Sequence, residues 1–146
     1  MKEVFPFASS PGGAGVWLPL LVVVPILVLA GYLLLAPRLV RFEVSPEGLR
    51  IWGDLFYGRT IPRTELMLDQ ARVLDLTSTT DYKPVRRTNG TGMPGYSAGW
   101  FRLQNGEKAL VFVGDWTRVA MIPVKEGYSL LLSVPDTDRF LAALRR

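Results

Sequence analysis

Cysteine and histidine are both absent from this 146-residue sequence. Without cysteine there is no disulfide and no thiol nucleophile, and without either residue type the usual zinc and haem ligand sets are excluded. The lack of histidine also removes the side chain that most often transfers protons near neutral pH. Carboxylate chemistry is the remaining enzymatic alternative. We therefore predict that the protein is not an enzyme and has no catalytic residues, no metal site and no cofactor.

Charge is also missing from a long stretch near the N-terminus. No charged side chain lies between Glu3 and Arg38, whereas both signs are interspersed from Arg38 onward. The whole chain carries a net charge of +4. A surplus of this size is compatible with attraction to an anionic membrane surface, but it is too small for a nucleic-acid-binding patch. We predict no nucleic-acid partner.

Residues 16–36 are apolar or weakly polar throughout. At about 1.5 Å rise per residue, a helix of this length matches a hydrocarbon core of roughly 30 Å. Trp17 and Tyr32 lie toward opposite ends of the stretch, where aromatic side chains commonly occupy the membrane interfaces. These features predict a transmembrane helix over residues 16–37, preceded by a disordered tail over residues 1–15.

Two alternatives to a membrane span are a buried core helix and a cleaved signal peptide. The rest of the chain is too small to surround such a helix, and the apolar stretch is longer than a typical signal-peptide core.

Lys2 is alone on the N-terminal side, whereas Arg38 and Arg41 follow the stretch directly. Because basic residues favour the cytoplasmic side, we predict a single-pass protein whose C-terminal domain faces the cytoplasm.

Short strand patterns dominate the chain after the apolar stretch. Residues 40–44 alternate between apolar and charged side chains, as in a strand with one buried face. Asn105 and Gly106 form a strong hairpin signal between two apolar runs. A C-terminal amphipathic helix is predicted to begin at Ser133 or Asp136, either of which can cap it. Strands are predicted over residues 40–44, 49–52, 56–61, 71–76, 100–103, 108–113, 118–123 and 128–133.

Seven or eight antiparallel strands followed by one helix predict a mostly β curled sheet or small barrel over residues 38–146, with the helix at its open end. Within it, residues 87–95 (RTNGTGMPG), 99–102 (GWFR) and 105–109 (NGEKA) resemble the bacterial pleckstrin-homology-like (PH-like) family of small membrane-anchored proteins. The resemblance covers roughly residues 40–145. It implies a PH-like barrel with one C-terminal α-helix and a bacterial inner-membrane location, and it implies little about activity.

The longest stretch without a strand pattern is 77–98, and long loops in compact domains often carry function. Three basic residues followed by hydroxyls and glycines could hold an anionic group through charge-assisted bonds and backbone N–H groups. The alternative is a solvated loop whose glycines only permit unusual turns. The candidate ligand- or partner-binding residues are Lys83, Arg86, Arg87, Thr88, Asn89, Gly90, Gly92, Gly95 and Trp100. The predicted membrane-flanking residues are Trp17, Tyr32, Arg38 and Arg41.

Gly90, Gly92 and Gly95 satisfy the G-x-G-x-x-G pattern of dinucleotide-binding proteins. That pattern functions where a strand leads into a helix whose N-terminus faces a pyrophosphate. The residues that follow Gly95 do not begin an amphipathic helix, so we do not predict nucleotide binding. The aspartates of the C-terminal domain are dispersed in sequence and predict no shared acid/base or metal site.

Two functions remain. The first is a membrane-anchored PH-like interaction module that binds a protein partner at the membrane, through the predicted loop or through a sheet edge that accepts another strand. The second is binding of an anionic lipid or small anion by the basic, glycine-rich loop 83–95, aided by Arg38 and Arg41 beside the membrane.

Overall fold

The computed structural model describes residues 2–3, 5, 13–53, 56–93 and 95–146. The chain divides into two compact units, Met1–Leu35 and Ala36–Arg146. The tail that we predicted to be disordered, residues 1–15, falls largely outside the described residues.

Helix α1, Gly13–Leu39, accounts for most of the described part of the first unit. Its stretch of 25 residues from Gly15 to Leu39 contains an 18-residue window with a mean hydropathy of 2.7. Pro19 and Pro25 lie within the helix without interrupting it. At about 1.5 Å per residue, this stretch is long enough to cross a hydrocarbon core of roughly 30 Å. Its length and composition are therefore compatible with a single-pass membrane anchor.

The second unit is mostly β, as predicted. In the part of the chain that the structure describes, two sheets are followed by a C-terminal helix, α2, Thr137–Arg145. Two short 3-10 turns interrupt the β structure at Arg63–Glu65 and Thr80–Tyr82. The strands are β1 Arg41–Ser45, β2 Gly48–Trp52, β3 Thr60–Pro62, β4 Arg72–Leu74, β5 Pro84–Met93, β6 Tyr96–Leu103, β7 Lys108–Val113, β8 Val119–Val124 and β9 Tyr128–Leu132.

The small sheet has the order β1-β2-β3 and the large sheet the order β4-β8-β9-β7-β6-β5. The predicted hairpins β1-β2 and β6-β7 are confirmed, the latter around a turn in which Gly106 has a φ of 87°. The prediction of a wholly antiparallel sheet is wrong at one place, because β9 lies between β7 and β8 and runs parallel to β7. β7 and β8 are consecutive in the chain but are not neighbours in the sheet, because β9 lies between them.

Burial on both faces explains why β9 takes the central position. Leu130 and Leu131 point to opposite faces of the sheet, and neither side chain is exposed. Leu110 and Val111 of β7 are equally buried beside them. A strand of nearly continuous apolar residues is most stable where both faces are covered. The small sheet covers one face, where the rings of Phe42 and Phe112 are 6.1 Å apart.

Helix α2 is held at both ends. Asp136 is the residue that caps its N-terminus, because its side chain accepts a hydrogen bond from the Arg139 backbone N–H at 3.1 Å. Ser133, the other candidate, instead accepts bonds from the backbone between β7 and β8. At the C-terminal end, the Arg63 guanidinium donates to the carbonyl oxygens of Leu144 and Arg146 at 2.6 and 2.9 Å.

The prediction of a long loop over 77–98 is wrong. Most of it forms the hairpin of β5 and β6, which raises the number of strands in the described residues from the predicted seven or eight to nine. Gly90 and Gly99 are register partners, and a Cβ atom on Gly90 would lie only 2.5 Å from the Ala98 carbonyl oxygen. The glycines therefore permit close approach of two strand backbones. In the sequence, such glycines look the same as the glycines of a loop.

Candidate functional site

Strand β5 forms one edge of the large sheet. Among the described residues its neighbour in the sheet is β6, and its other side faces away from the sheet. The strand is 10 residues long, and its side chains from Val85 to Asn89 are exposed. An edge strand of this length presents a row of backbone N–H and C=O groups that can pair with another chain.

The three basic residues of the predicted site lie at different places on the sheet. Arg86 is the register partner of Arg102, and Arg87 is the register partner of Phe101. Because neighbouring strand residues point to opposite faces, the Arg86 and Arg87 side chains lie on different faces of the sheet. Lys83 precedes the strand, and its carbonyl oxygen accepts a hydrogen bond from Gln104 at 2.9 Å. The structure therefore does not bring the three cations to one point on the sheet.

The glycines of the candidate set are separated from Arg86, although the Arg87 guanidinium lies 3.6 Å from the position that a Cβ on Gly92 would take. Gly92 lies six residues after Arg86 on an extended strand, which corresponds to about 20 Å. Gly95 lies in the turn between β5 and β6, with a φ of 79°. No helix follows this turn, since β6 begins at Tyr96. The G-x-G-x-x-G match therefore lacks the strand-to-helix context of a dinucleotide site.

Arg86 instead belongs to a row of cations across three neighbouring strands. Arg86 pairs in register with Arg102 of β6, and Arg102 pairs in register with Lys108 of β7. Register partners project from the same face of a sheet, so the three exposed side chains form a ladder. Strands are about 4.8 Å apart, so the ladder is roughly 10 Å long.

Two aromatic side chains continue this row. Tyr128 of β9 is the register partner of Lys108, and its ring lies 5.0 Å from the ring of Trp100 at 79°. The Lys108 ammonium is 4.4 Å from the centre of the Trp100 ring. Arg59 completes the group, because its guanidinium donates a 3.0 Å hydrogen bond to the Tyr128 hydroxyl. We call the set Arg59, Arg86, Trp100, Arg102, Lys108 and Tyr128 the basic–aromatic surface.

Thr88 and Asn89 support the strand beside this surface. The Thr88 hydroxyl donates to the Trp100 carbonyl at 3.2 Å, next to an irregularity in the β5-β6 register. The Asn89 side-chain oxygen accepts a hydrogen bond from the Tyr57 hydroxyl at 3.2 Å. Both side chains therefore fix the shape of the edge strand.

The cations of the basic–aromatic surface lack carboxylate partners among the described residues. The ion pair found among the described residues lies outside this surface. It joins Arg118 and Asp138 at 2.7 Å, and both side chains are exposed. Arg102 donates to the Gly106 carbonyl at 2.9 Å, which is a neutral acceptor. The surface therefore presents several cations without a carboxylate in salt-bridge contact among the described residues, which favours an anionic ligand.

A neighbouring cleft of about 590 Å³ has a different character. Lys108 and Tyr128 contribute to its wall, but so does the carboxylate-bearing residue Glu107. Arg72, also in the wall, is already engaged, since its guanidinium donates to the Tyr82 hydroxyl at 2.8 Å and lies 5.1 Å from that ring. The cleft thus mixes both signs of charge, whereas the basic–aromatic surface carries one.

Asp75 and Asp115 accept hydrogen bonds within turns. In each case the pKa is lowered from its ordinary value mainly because the carboxylate accepts a hydrogen bond from the hydroxyl of a threonine two residues later. The backbone N–H of the same threonine, Thr77 or Thr117, lowers it further. Among the described residues, no group of three or more acidic side chains is placed to hold a metal ion.

The membrane-flanking candidates lie on or next to helix α1. Trp17 is exposed and Tyr32 is partly buried, and Arg38 and Arg41 are exposed on either side of the helix end. A Cβ atom on Gly53 would collide with the Leu39 carbonyl oxygen. The end of β2 therefore abuts the last turn of the helix at the start of the β domain.

Sequence reasoning missed Arg59, Arg102, Lys108 and Tyr128. Part of the ladder could be predicted from the sequence, because the Asn105-Gly106 turn sets the register of the β6-β7 hairpin and thereby pairs Arg102 with Lys108. The positions of Arg59 and Tyr128 depend on the small sheet and on the displaced strand order. No local pattern indicates either of these.

A family model described as Bacterial PH domain matches residues 40–146. The match covers the segment in which the sequence motifs indicated a PH-like resemblance, and it extends over well more than half of the chain. No protein with curated annotation matches the chain. No solved structure matches it either.

Proposed function

The chain belongs to the bacterial PH domain family, and we propose that it is a membrane-anchored interaction module that binds a protein partner by strand addition to β5. In this proposal residues 16–37 cross the inner membrane of a bacterial cell, and residues 38–146 form the binding domain on the cytoplasmic side. The basic residues Arg38 and Arg41 beside the span support that orientation.

The observation that carries the proposal is the edge position of β5. Its 10 residues give an incoming segment several backbone hydrogen bonds, which is the usual source of affinity in strand addition. Proteins that do not use such an edge commonly protect it by making it short or by covering it. The opposite edge of the large sheet, β4, has 3 residues and fits that description.

Anchoring strengthens such a module. A helix that holds the domain at the bilayer raises the effective concentration of the domain toward any partner in the same membrane. A weak strand-addition site is then sufficient for association. PH-like domains are generally interaction modules rather than enzymes, and the residue types of the basic–aromatic surface suit binding rather than proton transfer.

Binding of an anionic lipid or small anion by segment 83–95 is the second candidate, and it has weaker support. Arg86 and Arg87 lie on opposite faces, and Gly92 lies about 20 Å from Arg86 along the strand. What favours it is the uncompensated charge of the ladder, which any anion would neutralise.

Site-specific photocrosslinking in cells tests the proposal. A photoreactive residue at Val85, which is 56% exposed on the edge strand, is compared with one at Glu126, which is exposed in the turn between β8 and β9. We expect a single protein adduct from position 85 that maps to one extended segment of the partner. Equal labelling at both positions, or lipid adducts alone at position 85, would contradict strand addition.

A further inference from the structure

The cation ladder lowers the stability of the sheet unless an anion outside the domain compensates its charge. Like charges placed directly opposite each other on neighbouring strands destabilise a sheet. Arg86, Arg102 and Lys108 occupy three such positions in succession. The compensation inside the domain is partial, since Lys108 lies over the Trp100 ring and Arg102 donates to a neutral carbonyl. An external anion would turn the repulsion into attraction.

The ladder points outward at the edge strand. Its last member, Arg86, is on β5, so the next register position belongs to whatever strand is added there. A residue at that position would lie about 4.8 Å beyond Arg86 and on the same face. A carboxylate there would pair with Arg86, and carboxylates two residues away on the same face would remain within reach of the row.

We propose that the partner segment that adds to β5 is acidic, with carboxylates at alternate positions facing the basic–aromatic surface. This inference rests on the proposed function and gives its partner a chemical identity. The side chains on the other face of the added strand would meet Arg87, which is a single exposed cation without a ladder. Charge selection is therefore expected on one face of the segment.

The ladder and the segment that follows the apolar stretch lie toward different ends of strand β7. Lys108 is four residues from Phe112 along β7, a separation of about 13 Å. Phe112 lines a small cavity together with Pro37 and Val40, which follow the apolar stretch in sequence. The ladder thus lies at the end of the sheet that is farther from the chain segment leaving α1.

The test uses the full chain in nanodiscs of uncharged phosphatidylcholine. The probes are a fluorescent ten-residue peptide of alternating Glu and Thr and a matched peptide of alternating Gln and Thr. We expect the acidic peptide to bind about tenfold more tightly, because several cross-strand ion pairs act together. Raising the salt concentration from roughly 0.05 to 0.3 M should reduce this difference.

Charge reversal identifies the face. Arg86→Glu and Arg102→Glu should each weaken binding of the acidic peptide by about three- to tenfold, whereas the matched control Arg87→Glu should weaken it less than about threefold. Circular dichroism verifies that each variant is folded, and Arg86→Lys should retain most of the binding. Equal losses from Arg86→Glu and Arg87→Glu would overturn the inference, as would equal affinity for the two peptides.

Amide hydrogen exchange distinguishes strand addition to β5 from the acidic character of the added segment. Slower exchange on β5 in the presence of the acidic peptide supports both strand addition and the acidic partner. Binding that leaves β5 exchange unchanged overturns strand addition by this segment. A partner crosslinked at position 85 that lacks carboxylates in its mapped segment overturns the acidic inference alone. Loss of peptide binding in anionic nanodiscs at equal salt assigns the surface to lipid headgroups. That result also overturns the inference of an acidic partner segment.

Discussion

Strands β5 and β9 belong to the same sheet and are separated by two strands, yet they have opposite characters. β9 is buried along its whole length, from Tyr128 to Leu132. β5 is exposed along most of its length and carries arginines, threonines and glycines. The difference indicates that β9 stabilises the domain, whereas β5 is available for binding. Under the proposed function, stability and strand addition therefore depend on different strands of one sheet.

The largest effect is expected from truncation in β9. Leu131→Ala removes a side chain with no exposed surface and leaves a cavity, so the free energy of unfolding should fall by about 3 kcal/mol. The matched change Val85→Ala in β5 should alter it by less than about 0.5 kcal/mol. Urea unfolding of the full chain in mild detergent measures both. Similar losses at the two positions would remove the distinction between the strands.

The next effect concerns the glycines of β5. Gly90→Ala places a Cβ 2.5 Å from the Ala98 carbonyl oxygen and should cost about 2 kcal/mol of unfolding free energy. Gly92→Ala is the control, because its nearest neighbour is the flexible end of Arg87 at 3.6 Å. That variant should be unchanged or stabilised by up to about 1 kcal/mol. Equal destabilisation of the two variants in the same urea assay would contradict the close-approach role of Gly90.

The next pair of variants replaces one arginine that bonds to the end of α2 and one exposed arginine of β5. Arg63→Gln removes hydrogen bonds to the carbonyl oxygens of Leu144 in α2 and of Arg146 directly after it, and should lower the free energy of unfolding by about 1 to 3 kcal/mol. Arg86→Gln should change it by less than about 0.5 kcal/mol, because the Arg86 side chain is exposed. Thermal unfolding followed by near-ultraviolet circular dichroism distinguishes them. A large loss of stability in Arg86→Gln would make the ladder structural.

The smallest effect is expected in the turns that precede β5 and β8. The pKa values of Asp75 and Asp115 are lowered from 3.8, so each ionised carboxylate stabilises the fold above that pH and the contribution is lost as pH falls through the lowered values. The double variant Asp75→Asn and Asp115→Asn should be slightly less stable than wild type near pH 6, and the two should converge as the solution is acidified well below pH 3.8. Urea midpoints across this range measure the difference. A difference that persists at the lowest pH would exclude ionisation as its cause.

Local signals predicted a large share of the fold. The apolar stretch, the Asn105-Gly106 hairpin and the C-terminal helix each depend on residues close in sequence, and the structure confirms them. The PH-like resemblance is confirmed by the family match over residues 40–146. The β5 strand escaped prediction because Gly90 and Gly92 are typical of loops. Their strand conformation becomes favourable only when β6 lies alongside.

The candidate site was predicted less well than the fold. Arg86 and Trp100 were identified and do lie at the basic–aromatic surface, but Arg87 lies on the opposite face of the sheet. Clustering in sequence suggested a shared ligand for Lys83, Arg86 and Arg87. The alternation of side chains along a strand separates the last two, and only knowledge that the segment is extended reveals this.

Composition and short-range periodicity encode the apolar helix, the mostly β content and the lack of thiol and imidazole side chains, so these properties follow from the chain alone. Packing of the whole domain sets three further features: β9 lies between β7 and β8, β5 is an edge, and Arg86, Arg102 and Lys108 form one row. The physical reason is that strand order minimises exposure of apolar surface across the whole sheet. That optimum depends on all the strands together and not on any one segment.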